Sequence, residues 1–171
     1  GQRSIVTMKM SCLNVAYDAF ISVVYYGCTG GMVVYVADDP GVSAGMPEQD
    51  IRGFALMSDV PVLEPSSVLE SYTFVQYAFE LSEAIQGPVI VRTVSNVSQS
   101  HALIELPEAH PIEPRKPHFV NDPLKYTKAG AKICMDQHRD LIARLAAAQV
   151  KLHEDGMHQL SLGKKGGKGI I

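Results

Sequence analysis

A parallel α/β fold, a sheet flanked by helices, is what this sequence predicts, and three observations carry the prediction. Short runs rich in β-branched residues recur along the first two-thirds of the chain, as in SIVTM and GMVVYVAD. The second of these is apolar almost without a break, which is the pattern of a strand covered on both faces. Between the runs lie stretches whose apolar residues repeat at helical spacing and which are too long for hairpin loops.

The elements follow in order. SIVTM, residues 4–8, reads as the first strand, and Leu13, Ala16, Tyr17, Phe20 and Val24 then fall on one helical face. Ser11 is the expected N-cap of that helix, and Gly27 stands where it should end. Residues 31–38 return as a strand and complete a βαβ unit. A strand is expected over residues 60–64, followed by Ser67-x-x-Glu70, the spacing of a capping box. Val68, Tyr72, Val75 and Phe79 mark a stripe down the helix it opens, which stops near Gly87. PVIVRTVS supplies a last strand over residues 88–94 and closes a second unit, so that all four strands should run parallel.

Beyond residue 105 the texture changes. The segment from Pro107 to Pro123 holds five of the ten prolines and has no periodicity, which is the composition of an extended connector. Leu141, Leu145, Ala148 and Leu152 then define an amphipathic helix within residues 129–153, and GKKGGKG reads as flexible. The expected division is a partial domain over residues 1–105, a linker over 106–128, and a helix with a tail over 129–171 leading to a next domain. Both chain ends, GQRSIVTMK and GKGII, read as cut from something longer.

Composition narrows the functional classes. The 171 residues are 46% hydrophobic and carry a formal net charge of -3, which gives a sizeable core and no basic field for a phosphate backbone. A nucleic-acid partner is therefore not expected. No apolar run approaches the roughly 20 residues of a membrane span, no signal-peptide pattern is present, and a cytoplasmic location is expected. Three widely spaced cysteines, Cys12, Cys28 and Cys134, form no disulfide framework or CxxC motif and are expected to be buried thiols.

Phosphate and metal motifs are missing. No G-x-G-x-x-G follows the first strand, and GKKGGKG fails the Walker spacing. The six histidines contain no H-x-x-x-H pair, so no metal site is expected. GVSAG, residues 41–45, does satisfy G-x-S-x-G, and Asp59 or Asp122 with His101 or His138 could complete a Ser-Asp-His order. A nucleophile elbow, however, needs a serine between a strand and an immediately following helix. Asp38, Asp39 and Pro40 intervene after the strand, Pro47 falls where the helix would begin, and two carboxylates beside the serine would oppose an oxyanion. A serine hydrolase remains an alternative, as does a non-catalytic α/β interaction module that holds a partner with its helix faces.

Across its whole length the loop belongs to a longer pattern. GQRSIVTMKMSCLNVAYDAF, GGMVVYVADDPGVSAGMPEQDIR, VPVLEPSS and YAFELSEAIQGPVIVRTVSNVSQS together resemble the 2-oxoacid:ferredoxin oxidoreductases, most nearly the indolepyruvate-type alpha subunits. The likeness covers about residues 1–105. It implies the thiamine diphosphate-binding fold, here a truncated pyrimidine domain. The activity it implies is oxidative decarboxylation of an arylpyruvate to an acyl-CoA, with electrons passing to ferredoxin.

The resemblance also implies roles for particular residues. Met8, Lys9, Leu13 and Asn14 match the family's MK-x-x-x-LN and would lie near the cofactor's aminopyrimidine. Asp39, Gly41, Ser43 and Gly45 match its DPG-x-S loop, and Glu48, Gln49 and Asp50 match its EQD, on the substrate side. In pyruvate-specific relatives an arginine for the substrate carboxylate lies about where Asp39 stands, which disfavours pyruvate here. Met10 stands where close relatives often carry a histidine. The activating glutamate is expected upstream of Gly1, so no catalytic residue is assigned. Mg²⁺ and iron-sulfur clusters are expected in parts outside this chain, with coenzyme A, the arylpyruvate, ferredoxin and the remaining domains or subunits as partners. The chain alone is expected to be inactive.

Overall fold

The computed structural model describes residues 2–43, 47–108 and 119–157. Its centre is a four-stranded parallel sheet in the order β1-β2-β4-β3, built from β1 (Ser4–Lys9), β2 (Met32–Asp38), β3 (Val62–Leu63) and β4 (Val89–Val94). Helix α1 (Met10–Tyr26) joins β1 to β2, α2 (Arg52–Ser58) lies between β2 and β3, and α3 (Val68–Ile85) joins β3 to β4. Two short helices, α4 (Ser95–Ser98) and α5 (Pro123–Tyr126), precede the long α6 (Ala131–Glu154).

The topology divides the core. Steps from β1 to β2 and on toward β3 move one way across the sheet, and the step from β3 to β4 moves back, so right-handed crossovers put α1 and α2 on one face and α3 on the other. Alternation along the strands matches. Val34, Val36 and Ile90 pack with Leu13, Phe20, Val24, Ile51 and Ala55 on the first face, while Val33, Val89 and Val91 pack with Ala78, Leu81 and Ile85 on the second. Each fully buried Val, Leu, Ile or Phe among them contributes roughly 1.5–3 kcal/mol from apolar area removed from water. Helix α6 joins both clusters, Leu141 entering the first and Ala148 the second.

Local chemistry explains most of the boundaries. Gly27 ends α1 at φ 71°, and a Cβ there would meet the Gln86 carbonyl oxygen at 2.5 Å. Ser67 caps α3 by accepting from the Glu70 amide at 3.1 Å, while the Glu70 carboxylate reaches back to the amide and hydroxyl of Ser66 rather than to Ser67. Ser11 is not an N-cap: β1 runs directly into α1, the turn is made at Lys9, and no side chain caps it. The strand expected over residues 60–64 shrinks to Val62–Leu63 because Pro61 has no N–H for the ladder, although its carbonyl accepts from Ile90 at 3.0 Å.

Three further expectations are revised. On α3 the fully buried positions are Ala78, Leu81, Ser82 and Ile85, whereas Val68, Tyr72, Val75 and Phe79 are half-buried, because only the C-terminal half of the helix lies flat on the sheet. Strand β1 is the sheet edge, so most of it is exposed. Cys12 is exposed on α1, and Cys28 and Cys134 are half-buried free thiols. The GKKGGKG tail and residues 109–118 of the connector lie outside the described residues.

Candidate functional site

The family-matched residues gather at the carboxyl ends of β1 and β2. In the strand register Lys9 pairs with Ala37 and Asp38 with Val94, which sets Lys9, Asp38 and Ser95 in a row across the top of the sheet. Open parallel sheets present their ligand crevice at this edge. Lys9 is half-buried and, among the described residues, has no ion-pair partner. Met10 is fully buried in the core and presents nothing polar. Met8 and Leu13 line a small apolar groove of about 180 Å³ between β1 and α1, Leu13 as a fully buried part of its floor.

The loop after β2 is organised by two carboxylates. Asp39, 5% exposed, accepts from the Ser43 amide at 2.8 Å, the Ser43 hydroxyl at 2.7 Å and the Ser95 hydroxyl at 2.6 Å. The Gly41 amide donates to the Glu48 carboxylate at 3.0 Å. Between these anchors Gly41 and Val42 adopt φ of 78° and 44°. A β-branched residue in that region stores strain of order 1–3 kcal/mol, which the Gly41 bond to Glu48 on one side and the Ser43 bonds to Asp39 on the other hold in place. Gly45 lies outside the described residues.

At the far end of the loop, Asn14 Nδ2 donates to Gln49 Oε1 at 3.0 Å, bringing α1 and the EQD segment together. Asp50 accepts from the Arg52 amide at 3.0 Å and from its guanidinium at 2.6–3.0 Å. Those bonds hold the Asp50 carboxyl at a pKa of about 2, against 3.8 ordinarily.

Sequence reasoning missed the residue beneath this arrangement. Arg92 of β4 is 6% exposed, and its Nε donates to Asp38 Oδ2 at 2.8 Å. Its Nη1 donates to Glu64 at 3.2 Å, and Nη2 lies 3.7 Å from Asp50. An arginine inside a strand otherwise made of β-branched residues was the available signal, since a buried guanidinium requires a carboxylate partner and Asp38 closes the neighbouring strand.

The serine-hydrolase geometry is not formed. The Ser43 hydroxyl is spent on a carboxylate, and among the described residues the next helix, α2, begins only at Arg52. His138 sits against Tyr25 at 3.2 Å, where α6 meets the C-terminal end of α1, and His101 is exposed. Asp59 forms the left-handed C-cap of α2, and Asp122 caps α5. A cavity of about 760 Å³ does exist among α1, α5 and α6, but none of the family-matched residues lines it. Among the described residues no group of three or more His, Cys, Asp or Glu side chains is placed to hold a metal ion.

Fold and site together define a parallel α/β domain with a carboxylate-held loop at the carboxyl ends of its strands. No family model matches the chain. It is 36% identical over 160 residues to indolepyruvate oxidoreductase subunit IorA of Methanothermobacter thermautotrophicus, covering 94% of this chain and 26% of that protein. It is 44% identical to the subunit of the same name from Pyrococcus horikoshii over 74% of this chain and 20% of the relative, and 39% identical to that of Archaeoglobus fulgidus over 62% and 17%. By sequence the chain is a relative of the IorA subunits, and it spans about a quarter of their length or less.

Proposed function

We propose that this chain forms part of a thiamine diphosphate-dependent 2-oxoacid:ferredoxin oxidoreductase acting on an arylpyruvate such as indolepyruvate, and that its strand ends make the wall facing the cofactor's aminopyrimidine and the substrate. The observation that carries the reading is the Asn14–Gln49 hydrogen bond, which joins two family-matched segments 35 positions apart in the sequence at the edge where a parallel sheet opens. Resemblance to IorA subunits supports the reaction class.

The residues present fit one end of the cofactor. Five acids (Asp38, Asp39, Glu48, Asp50 and Glu64) surround three bases (Lys9, Arg52 and Arg92), so the rim is formally acidic and unfavourable for a pyrophosphate. It suits the neutral-to-cationic ring end. With Asn14 Nδ2 and Gln49 Oε1 used on each other, Asn14 Oδ1 and Gln49 Nε2 remain as an acceptor and a donor to orient a polar heterocycle edge. Met8 and Leu13 add the apolar surface of the groove between β1 and α1. The bound cofactor would supply the electron sink for decarboxylation, and these residues would position it and exclude water. Mg²⁺, iron-sulfur clusters, coenzyme A and ferredoxin complete the proposed reaction through other parts of the enzyme. No described helix is long and apolar enough to cross a membrane.

The test uses the full-length protein. Asn14→Ala and Gln49→Ala should each lower arylpyruvate-dependent ferredoxin reduction by roughly 10-fold, the equivalent of a lost polar contact of about 1–3 kcal/mol, without changing the melting temperature of the cofactor-free protein. The rise in melting temperature on adding thiamine diphosphate should shrink in both. Wild-type activity with an unchanged rise would withdraw the assignment and favour an interaction module.

A further inference from the structure

We propose that Arg92 is the positioning residue of the 39–51 loop, acting through Asp38 on both ends of the loop at once; the link to catalysis rests on the function proposed above. The Asp38 side chain is fully buried. Its Oδ1 accepts from the Asp39 amide at 3.2 Å, where the loop leaves the sheet, and its Oδ2 accepts from the Ile51 amide at 3.1 Å, where the loop returns to the core. One carboxylate therefore clamps both ends, and Arg92 Nε holds that carboxylate from the neighbouring strand.

The remaining guanidinium nitrogens extend the clamp. Nη1 takes Glu64, just beyond β3, and Nη2 faces Asp50, next to Gln49. Three nitrogens thus address three carboxylates from three parts of the chain, a task for a planar fork and not for a single ammonium. The same commitments leave Arg92 no free edge for a substrate carboxylate. A buried pair of this kind adds little net stability over an apolar pair of similar size, because desolvation offsets the attraction. Its effect is to admit one geometry of the loop, the one in which Gln49 meets Asn14.

Amide hydrogen exchange in the full-length protein tests this, and activity is not required to read it. In Arg92→Lys the amides of residues 39, 41–43 and 48–51 should exchange about 10-fold faster than in the wild type, while those of β2 and β4 keep their protection. Glu64→Gln, which removes one partner at a 39%-exposed side chain and leaves the Asp38 pair intact, should give the same pattern at about 3-fold. In both variants kcat for arylpyruvate should fall more than KM rises. Faster loop exchange with Asn14→Ala and Gln49→Ala inert would uphold the clamp and withdraw only the thiamine reading. Wild-type exchange in the loop of both variants, or an equal loss of protection across the whole sheet, would overturn the proposal.

Discussion

Asp50 ties stability to pH at the acidic end of the range. Hydrogen bonds from Arg52 lower its folded pKa to about 2 from 3.8, so the carboxylate form is favoured by folding. For a depressed acid, the stabilisation is fully present above the unfolded value and is lost as pH falls through the folded one. The window is therefore acidic, from about pH 4 down to about pH 2. With half of its side chain exposed, the pair is screened and its contribution is small. Asp50→Asn should flatten the fall in stability across that window, measured by urea unfolding at its two ends, and change little at neutral pH. An unchanged slope would show that the Arg52 contact does not persist in solution.

The close approach of the residues that end α1 and α3, at the amino ends of the strands, depends on Gly27. Its φ of 71° with ψ of -179° lies in a region that only glycine enters cheaply, and the Gln86 carbonyl oxygen occupies the place of a Cβ. The neighbouring Cys28 amide donates to that same oxygen at 2.9 Å, so moving it would break a bond. Arg144 of α6 closes the same corner, donating to the Val24 carbonyl at 2.6 Å and to the Tyr25 carbonyl at 3.3 Å at the end of α1. Gly27→Ala should cost about 1–3 kcal/mol from backbone strain alone, read as a lower urea midpoint, with the carboxyl-end site unaffected in its local amide exchange. A cost below about 0.5 kcal/mol would mean that the corner relaxes freely.

At the scale of the whole sheet, β1 forms an edge that no other described strand covers. Among the described residues strand β1 pairs with β2 alone, Ile5 is 46% exposed and Val6 40%, and the apolar groove of Met8, Leu13 and Phe20 lies beside it. An unpaired apolar edge is a template for another strand. The isolated 171-residue chain should self-associate at high concentration by light scattering, and Val6→Lys should reduce that association, since an edge lysine resists pairing. A clean wild-type monomer at the same concentration would argue against it.

The parallel α/β class, the four strands and the helix ends at Gly27 and Ser67 were all readable from residues a few positions apart, because caps, periodicity and β-branching act within a turn or a single strand. The α6 stripe was readable for the same reason, with Leu141 and Ala148 buried and Leu145 and Leu152 half-buried. Short α2 carried no stripe to read, and the burial phase of α3 depended on how the helix lies on the sheet. Motifs at Met8–Asn14 and Asp39–Asp50 could be recognised, but their meeting through Asn14 and Gln49 could not be read from either segment alone. Arg92 and Asp38 are 54 positions apart, and only the placing of β4 between β2 and β3 makes them neighbours. Local patterns name the elements; which charges become buried partners depends on strand order, because a buried ion is tolerated only where the fold delivers its counterion.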